Sequence, residues 1–90
     1  MGQPRRLGRF RARVSIRMHW TDDAPSHFHA IYGEDEAVIR IDSLEVINGS
    51  LPLRAHALTL EWAFIHRPEL LENWDLCATR RQPKRIPPLD

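Results

Sequence analysis

The sequence has few of the residues that build covalent or metal frameworks, and it has no long apolar run. Cys77 is the only cysteine among 90 residues, which excludes an internal disulfide and a zinc site made of several cysteines. No stretch approaches the roughly 20 consecutive apolar residues of a membrane-spanning helix. The N-terminal arginines are not followed by the apolar segment of a secretory signal. We therefore expect a cytoplasmic protein that does not insert into a membrane.

Acidic residues are missing from the first part of the chain. Met1 to Trp20 carries six arginines and no acid, whereas residues 21–79 carry eleven acidic residues and only three arginines. The residues from Arg80 onward add four basic side chains and three prolines. The net charge of +1 thus hides a segregated pattern, which is compatible with an anionic partner such as RNA or DNA.

The length suffices for one compact domain and not for two. Residues 1–12 show no hydrophobic period and predict a basic flexible arm. Residues 13–79 predict a single domain. Residues 80–90 predict an extended, exposed, basic, proline-rich tail.

The first half of the domain predicts four strands. Polar and apolar residues alternate strictly from Arg13 to Trp20 and again from His27 to Tyr32, the period of half-buried strands. Two further strands are predicted at Ala37 to Ile41 and Leu44 to Ile47, after turns at residues 33–36 and 42–43. We expect an antiparallel meander.

The second half changes to a helical period after Pro52, a residue suited to the first turn of a helix. Pro68 should kink that helix or restart it near Arg67. The apolar stripe that we expect to cover the sheet comprises Leu53, Ala57, Leu60 and Phe64, widened by Leu58, Trp62 and Ile65. The predicted fold class is α+β, a small antiparallel four-stranded meander packed by a long kinked C-terminal helix.

The most unusual segment runs from Asp22 to Ala30. His27 and His29 lie two residues apart on a predicted strand, so both rings leave the same face while Phe28 faces the core. Even-with-even pairing brings His19 opposite or diagonal to them, and it puts Arg40 beside His29 and Asp42 near His27. The outer sheet face is then expected to carry a cationic patch made of Arg13, Arg17, His19, His27, His29 and Arg40.

Three chemistries are open to this patch, beside a fourth interpretation in which it is only a solvated sheet face. His27 and His29 with a nearby aspartate can bind a divalent transition metal. Alternatively, His27, His29 and His19 can act as acid and base in RNA cleavage, with Arg17 or Arg40 steadying the phosphate. Third, the patch can hold phosphates or an acidic partner, which needs no cofactor.

Two motifs resemble a known family. Residues 25–30 spell P-x-H-F-H-A and residues 70–74 spell L-L-E-N-W, and their order is similar to that in the bacterial domain-of-unknown-function family 4160. By position, the family's paired histidines correspond to His27 and His29 and its acidic residue to Asp22. The resemblance implies a small protein often encoded beside a partner in arrangements like toxin-antitoxin modules, with no activity attached.

Together, the residues and the resemblance lead to one main hypothesis. We expect a binding component of a toxin-antitoxin-like module, whose His and Arg face recognises a partner protein from a neighbouring gene, or RNA or DNA. The alternative is a small ribonuclease-type toxin or metal-binding enzyme that uses His27 and His29. Whether the protein is an enzyme stays open at this point.

Overall fold

The computed structural model describes residues 14–20 and 25–87. The predicted α+β class is confirmed. The elements in chain order are β1 (Ser15–Arg17), β2 (His27–Tyr32), β3 (Asp35–Arg40), β4 (Val46–Gly49), α1 (Leu53–Ile65) and α2 (Arg67–Ala78). The predicted arm of residues 1–12 lies outside the described residues. No helix in the described part of the chain is long and apolar enough to cross a membrane.

The four strands form one sheet in the order β1-β2-β3-β4, and each neighbouring pair is antiparallel. The predicted meander is confirmed, and β2 has its predicted bounds. Tyr32 pairs with Asp35, so only Gly33 and Glu34 form the turn between β2 and β3. Gly33 has a φ of 62°, the sign that the first central residue of a type II′ hairpin turn requires.

The edge strand β4 contains an irregularity next to a glycine. Val38 and Ile39 pair with Asn48 and Val46, which leaves Ile47 as the extra residue of a bulge. Gly49 has a φ of 73°, and a β-carbon there would overlap the backbone oxygen of Glu36. The close approach of β4 to β3 therefore requires glycine at this position.

One face of the sheet packs on the helices and forms the core. Alternate residues of β2 and β3, with Ile41 just beyond, are fully buried, as expected from a period of two. The buried apolar residues are Phe28, Ala30, Ala37, Ile39, Ile41, Leu51, Ala55, Trp62, Ala63 and Leu70. The rings of Phe28 and Trp62 meet edge to face with centroids 6.1 Å apart, which joins the sheet to α1.

The helix face that covers the sheet is not the predicted one. The buried residues of α1 are Ala55, Thr59, Trp62 and Ala63, whereas Leu53 and Phe64 of the predicted stripe are 85% and 65% exposed. The expectation was wrong for Leu53, Ala57 and Phe64, whereas Leu60 packs partly buried against the core and Trp62, which was predicted to widen the stripe, is buried in it. Ala55, Thr59 and Ala63 are small, so Trp62 is the large side chain that α1 buries in the core.

The helical half consists of two consecutive helices where one long kinked helix was predicted. His66 ends α1, donating from its backbone N–H to the Trp62 carbonyl, and it begins α2, accepting from Leu70 N–H; both bonds are 3.0 Å. Pro68 lies in the first turn of α2, where its missing N–H costs nothing. In a continuous helix it would clash with the preceding turn.

The C-terminal segment contains no helix or strand over residues 81–87, and it is bound to the helices. Arg80 adopts a left-handed φ of 60° after α2, and the N–H of Arg81 donates to Leu76 O at 2.8 Å, which is the Schellman arrangement. Trp62 Nε1 donates to Pro87 O at 2.8 Å, and Ile86 packs partly buried against the core. The segment from Arg80 to Pro87 therefore lies along the fold.

Candidate functional site

Three histidines meet where β1 and β2 pair. Arg17 is the register partner of His29, and His19 follows two residues later. The ring centroid of His29 lies 5.2 Å from that of His19 and 5.3 Å from that of His27, with both neighbours steeply inclined to it. The prediction that these three side chains come together is confirmed, and we call them the histidine cluster.

His27 is held from both sides. Its side chain is not on an open solvated face, because the residue is only 7% exposed and its ring lies 5.0 Å from that of Trp74 on α2. Nδ1 lies 2.9 Å from the Pro25 carbonyl oxygen. A carbonyl can only accept, so this partner assigns the proton to Nδ1 and leaves the lone pair of the neutral ring on Nε2.

His29 is oriented by a carboxylate. Its Nδ1 lies 2.7 Å from Glu36 Oε2, and the two side chains are 20% and 52% exposed. An ionised carboxylate accepts, which again places the ring proton on Nδ1 and the lone pair on Nε2. Both rings thus share one tautomer although their partners differ.

Glu36 is the functional residue that the sequence did not indicate. In the sequence it ends an acidic run typical of a solvated turn, Glu34 to Glu36. In the structure it belongs to β3 and opposes Ile31, one step diagonal from His29. Only the shorter turn reveals this, because it makes Glu36 part of β3, on the face that also carries Val38 and Arg40.

The arginines are placed differently from the prediction. Arg40 opposes His27, not His29, and His29 opposes Val38. Each residue was predicted on the correct face of the sheet, but the predicted pairing of β2 with β3 was shifted by two residues. The reason is that the turn contains two residues and not the predicted four. Accordingly Asp42 does not oppose His27; it instead accepts two bonds from Arg40, at 2.8 Å from Nε and 3.1 Å from Nη2.

This ion pair lowers the cationic character of the face. The hydrogen bond from Arg40 holds the pKa of Asp42 below its usual range, while desolvation opposes the shift. The bond to Asp42 likewise raises the pKa of Arg40. Glu36 likewise lies against His29. The exposed groups of this face are therefore Arg17, which carries a positive charge, and His19, which carries an imidazole ring.

Two predicted binding residues, Arg13 and Asp22, lie outside the described residues. For metal binding, no group of three or more His, Cys, Asp or Glu side chains in residues 14–20 and 25–87 is arranged to hold an ion. The described chain therefore supplies no third ligand beside His27 and His29. A divalent transition metal at this pair stays a prediction.

The cluster combines imidazole rings with an arginine in register on the neighbouring strand. Two imidazoles present Nε2 lone pairs whose direction is set by hydrogen bonds at the opposite ring nitrogen, which is how enzymes orient a general base. Arg17, the register partner of His29, carries a planar guanidinium whose geometry matches phosphate oxygens. The arrangement suits binding of a phosphate group, with or without proton transfer.

Comparison with known proteins gives one match. A family model described as "Domain of unknown function (DUF4160)" matches residues 14–75, which confirms the resemblance expected from the two motifs. The matched span holds the whole sheet, α1 and the histidine cluster, and it ends before the C-terminal segment. No curated protein and no solved structure matches the chain.

Proposed function

Because the chain belongs to the DUF4160 family, whose description names no activity, we propose a function from the geometry of the histidine cluster: the outer face at β1 and β2 binds RNA through its phosphate groups. The observation that carries this proposal is the packing of the His29 ring within 5.3 Å of the two other imidazoles, in register with Arg17. The exposed Arg17 and His19 supply the N–H donors of this surface, because the Nδ1 atoms of His27 and His29 are already bonded to Pro25 and Glu36.

The division of charge on this face supports a local phosphate contact in place of a broad cationic patch. Arg40 is paired with Asp42, and His29 is hydrogen-bonded to Glu36. Arg17 and His19, which are exposed, are therefore the groups assigned to the phosphate.

Binding is tested by fluorescence anisotropy with a labelled single-stranded RNA. We expect Arg17→Gln to weaken binding about fivefold or more and to reduce the salt dependence by about one phosphate contact. Arg81→Gln, an equal loss of charge at an exposed position after α2, is the matched control and should change affinity much less. Equal losses for both variants, or no binding by the wild type, would refute the proposal.

RNA cleavage is the second candidate, and the hydrogen bond between His29 and Glu36 favours it. One imidazole Nε2 would take the proton of a 2′-hydroxyl, whose oxygen attacks phosphorus, and another histidine would protonate the departing 5′-oxygen. Arg17 or Arg40 would stabilise the phosphorane. His27, His29 and His19 are the candidate acid and base.

Cleavage is distinguishable from binding by its product and its pH dependence. The expected product carries a 2′,3′-cyclic phosphate, and the rate should follow a bell-shaped pH profile. Glu36→Gln should lower the rate about tenfold or more, with little change in affinity. An intact RNA after prolonged incubation with the wild type excludes the second candidate and leaves the first.

Recognition of DNA, and of a partner protein encoded by a neighbouring gene as in a toxin-antitoxin-like module, stay predictions from the sequence, as does the cytoplasmic location. A DNA oligonucleotide of the same sequence in the anisotropy assay separates RNA from DNA. A purified product of the neighbouring gene, added to the RNA complex, tests whether the protein partner competes for the same face.

A further inference from the structure

Helix α1 carries an apolar stripe on the side that faces away from the sheet. Leu53 is 85% and Phe64 is 65% exposed, and Ala57 is also exposed while Leu60 is half-buried. We call Leu53, Ala57, Leu60 and Phe64 the α1 seam. Monomeric proteins rarely leave such contiguous apolar rows in water, and rows of this kind mark interaction surfaces.

The spacing of the seam is that of helix-to-helix packing. Its members follow one another at intervals of four, three and four residues, the a and d positions of a heptad repeat. At 100° per residue they fall within about 60° of one another. The residues buried against the sheet, centred between Ala55 and Ala63, lie about 150° away on the same helix. One face of α1 is thus used by the fold. On the other face Leu53 and Ala57 are exposed, Leu60 packs partly against the core, and the Arg67 guanidinium carbon lies 5.6 Å from the centroid of the Phe64 ring.

We propose that the α1 seam packs against the α1 seam of a second copy of this chain, with the two helices antiparallel about a two-fold axis. Such an interface is self-complementary, because residue i meets residue j and residue j meets residue i. Leu53 of one copy meets Phe64 of the other at each end. Ala57 meets Leu60 near the axis, where the small side chain lets the helices approach.

Charge on one flank of the seam selects this orientation. Arg54 and Glu61 are exposed and seven residues apart, so they lie about 20° from each other on the same side of the helix. In an antiparallel pair this flank lies against the equivalent flank of the second chain, which brings each Arg54 beside the Glu61 of the other chain. A parallel pair would instead set this flank against the opposite one, and the two ion pairs would not form.

The test is the molar mass of the full chain in solution, measured by sedimentation from about 1 µM to about 1 mM, the range in which small interfaces assemble. We expect a concentration-dependent dimer. Phe64→Glu should weaken dimerisation about tenfold or more. Ile47→Glu, which changes an apolar residue 49% exposed on β4, is the matched control and should leave dimerisation unchanged.

Charge exchange tests the orientation without touching the apolar residues. Arg54→Glu alone and Glu61→Arg alone should each weaken self-association, because like charges then face each other. A mixture of the two variants should associate at least as well as the wild type. A chain that remains monomeric at every concentration, including one that associates only with a different protein, overturns the proposal, as does a dimer unaffected by Phe64→Glu. Circular dichroism verifies that each variant is folded.

Discussion

The Asn73 carboxamide pairs with both polar groups of the Lys84 backbone, donating from Nδ2 to the carbonyl oxygen and accepting from the N–H, each at 2.8 Å. Asn73 is buried on α2, so its loss leaves two backbone groups without partners. We expect Asn73→Ala to lower the free energy of unfolding by about 1–3 kcal/mol, as measured by urea denaturation. Glu72→Gln, which removes an exposed ion pair with Lys84, should cost less than about 1 kcal/mol. Similar losses for both variants would contradict a specific role for the amide.

Substitutions at Gly33 and Gly49, which both have a positive φ, distinguish backbone strain from steric overlap. A β-carbon added at Gly33 would point into open space, whereas one added at Gly49 would meet the backbone of Glu36 and Ala37. We expect Gly33→Ala to destabilise the protein by about 1 kcal/mol. Gly49→Ala should cost clearly more and should also shift the amide resonance of Glu36 in NMR spectra. Equal effects of the two substitutions would show that β4 does not need its close approach.

Two adjacent leucines on α2 test the orientation of that helix. Leu70 is 1% exposed and Leu71 is 40% exposed. We expect Leu70→Ala to lower the free energy of unfolding by about 2–5 kcal/mol, because it leaves a cavity in the core. Leu71→Ala should cost about 1 kcal/mol or less. Thermal denaturation followed by circular dichroism distinguishes them, and a reversed order would mean that the opposite face of α2 is buried.

The ion pair between Arg40 and Asp42 should be visible in a pH titration. The pKa of Asp42 is lowered from its ordinary value of 3.8 by the bond from Arg40, so the pair stabilises the fold above that value. This contribution is lost as the pH falls through the lowered pKa of the folded state. In Arg40→Gln, the pKa of Asp42 measured by carboxyl NMR should rise toward its ordinary value. An unchanged titration curve would show that the bond does not persist in solution.

The strands could be predicted from the sequence because one face of the sheet is buried. A period of two fixes which residues of β2 face the core, and a register error by a single residue would turn Phe28 outward. An error by two residues keeps every side chain on its face. For that reason the sequence indicated which histidines come together but paired Arg40 with the wrong one.

The orientation of α1 could not be predicted from hydrophobicity. Its most apolar stripe, which includes Leu53 and Phe64, faces away from the core, while Ala55, Thr59 and Ala63 face the sheet. Close packing on a sheet favours small residues as much as apolar ones. A hydrophobicity scale therefore does not indicate which of the two faces of α1 is buried. The binding of the C-terminal segment was equally hidden, because Asn73 recognises backbone groups, which every residue carries.

The orientations of the His27 and His29 rings differ in how easily a mutation can change them. The ring of His27 is fixed by the main-chain carbonyl of Pro25, a group that no change of side chain at position 25 removes. The ring of His29 depends on the carboxylate of Glu36, which a single codon change can eliminate. A lineage could therefore lose or retune the His29 half of the cluster gradually, while the orientation of the His27 ring is inherited with the course of the backbone itself.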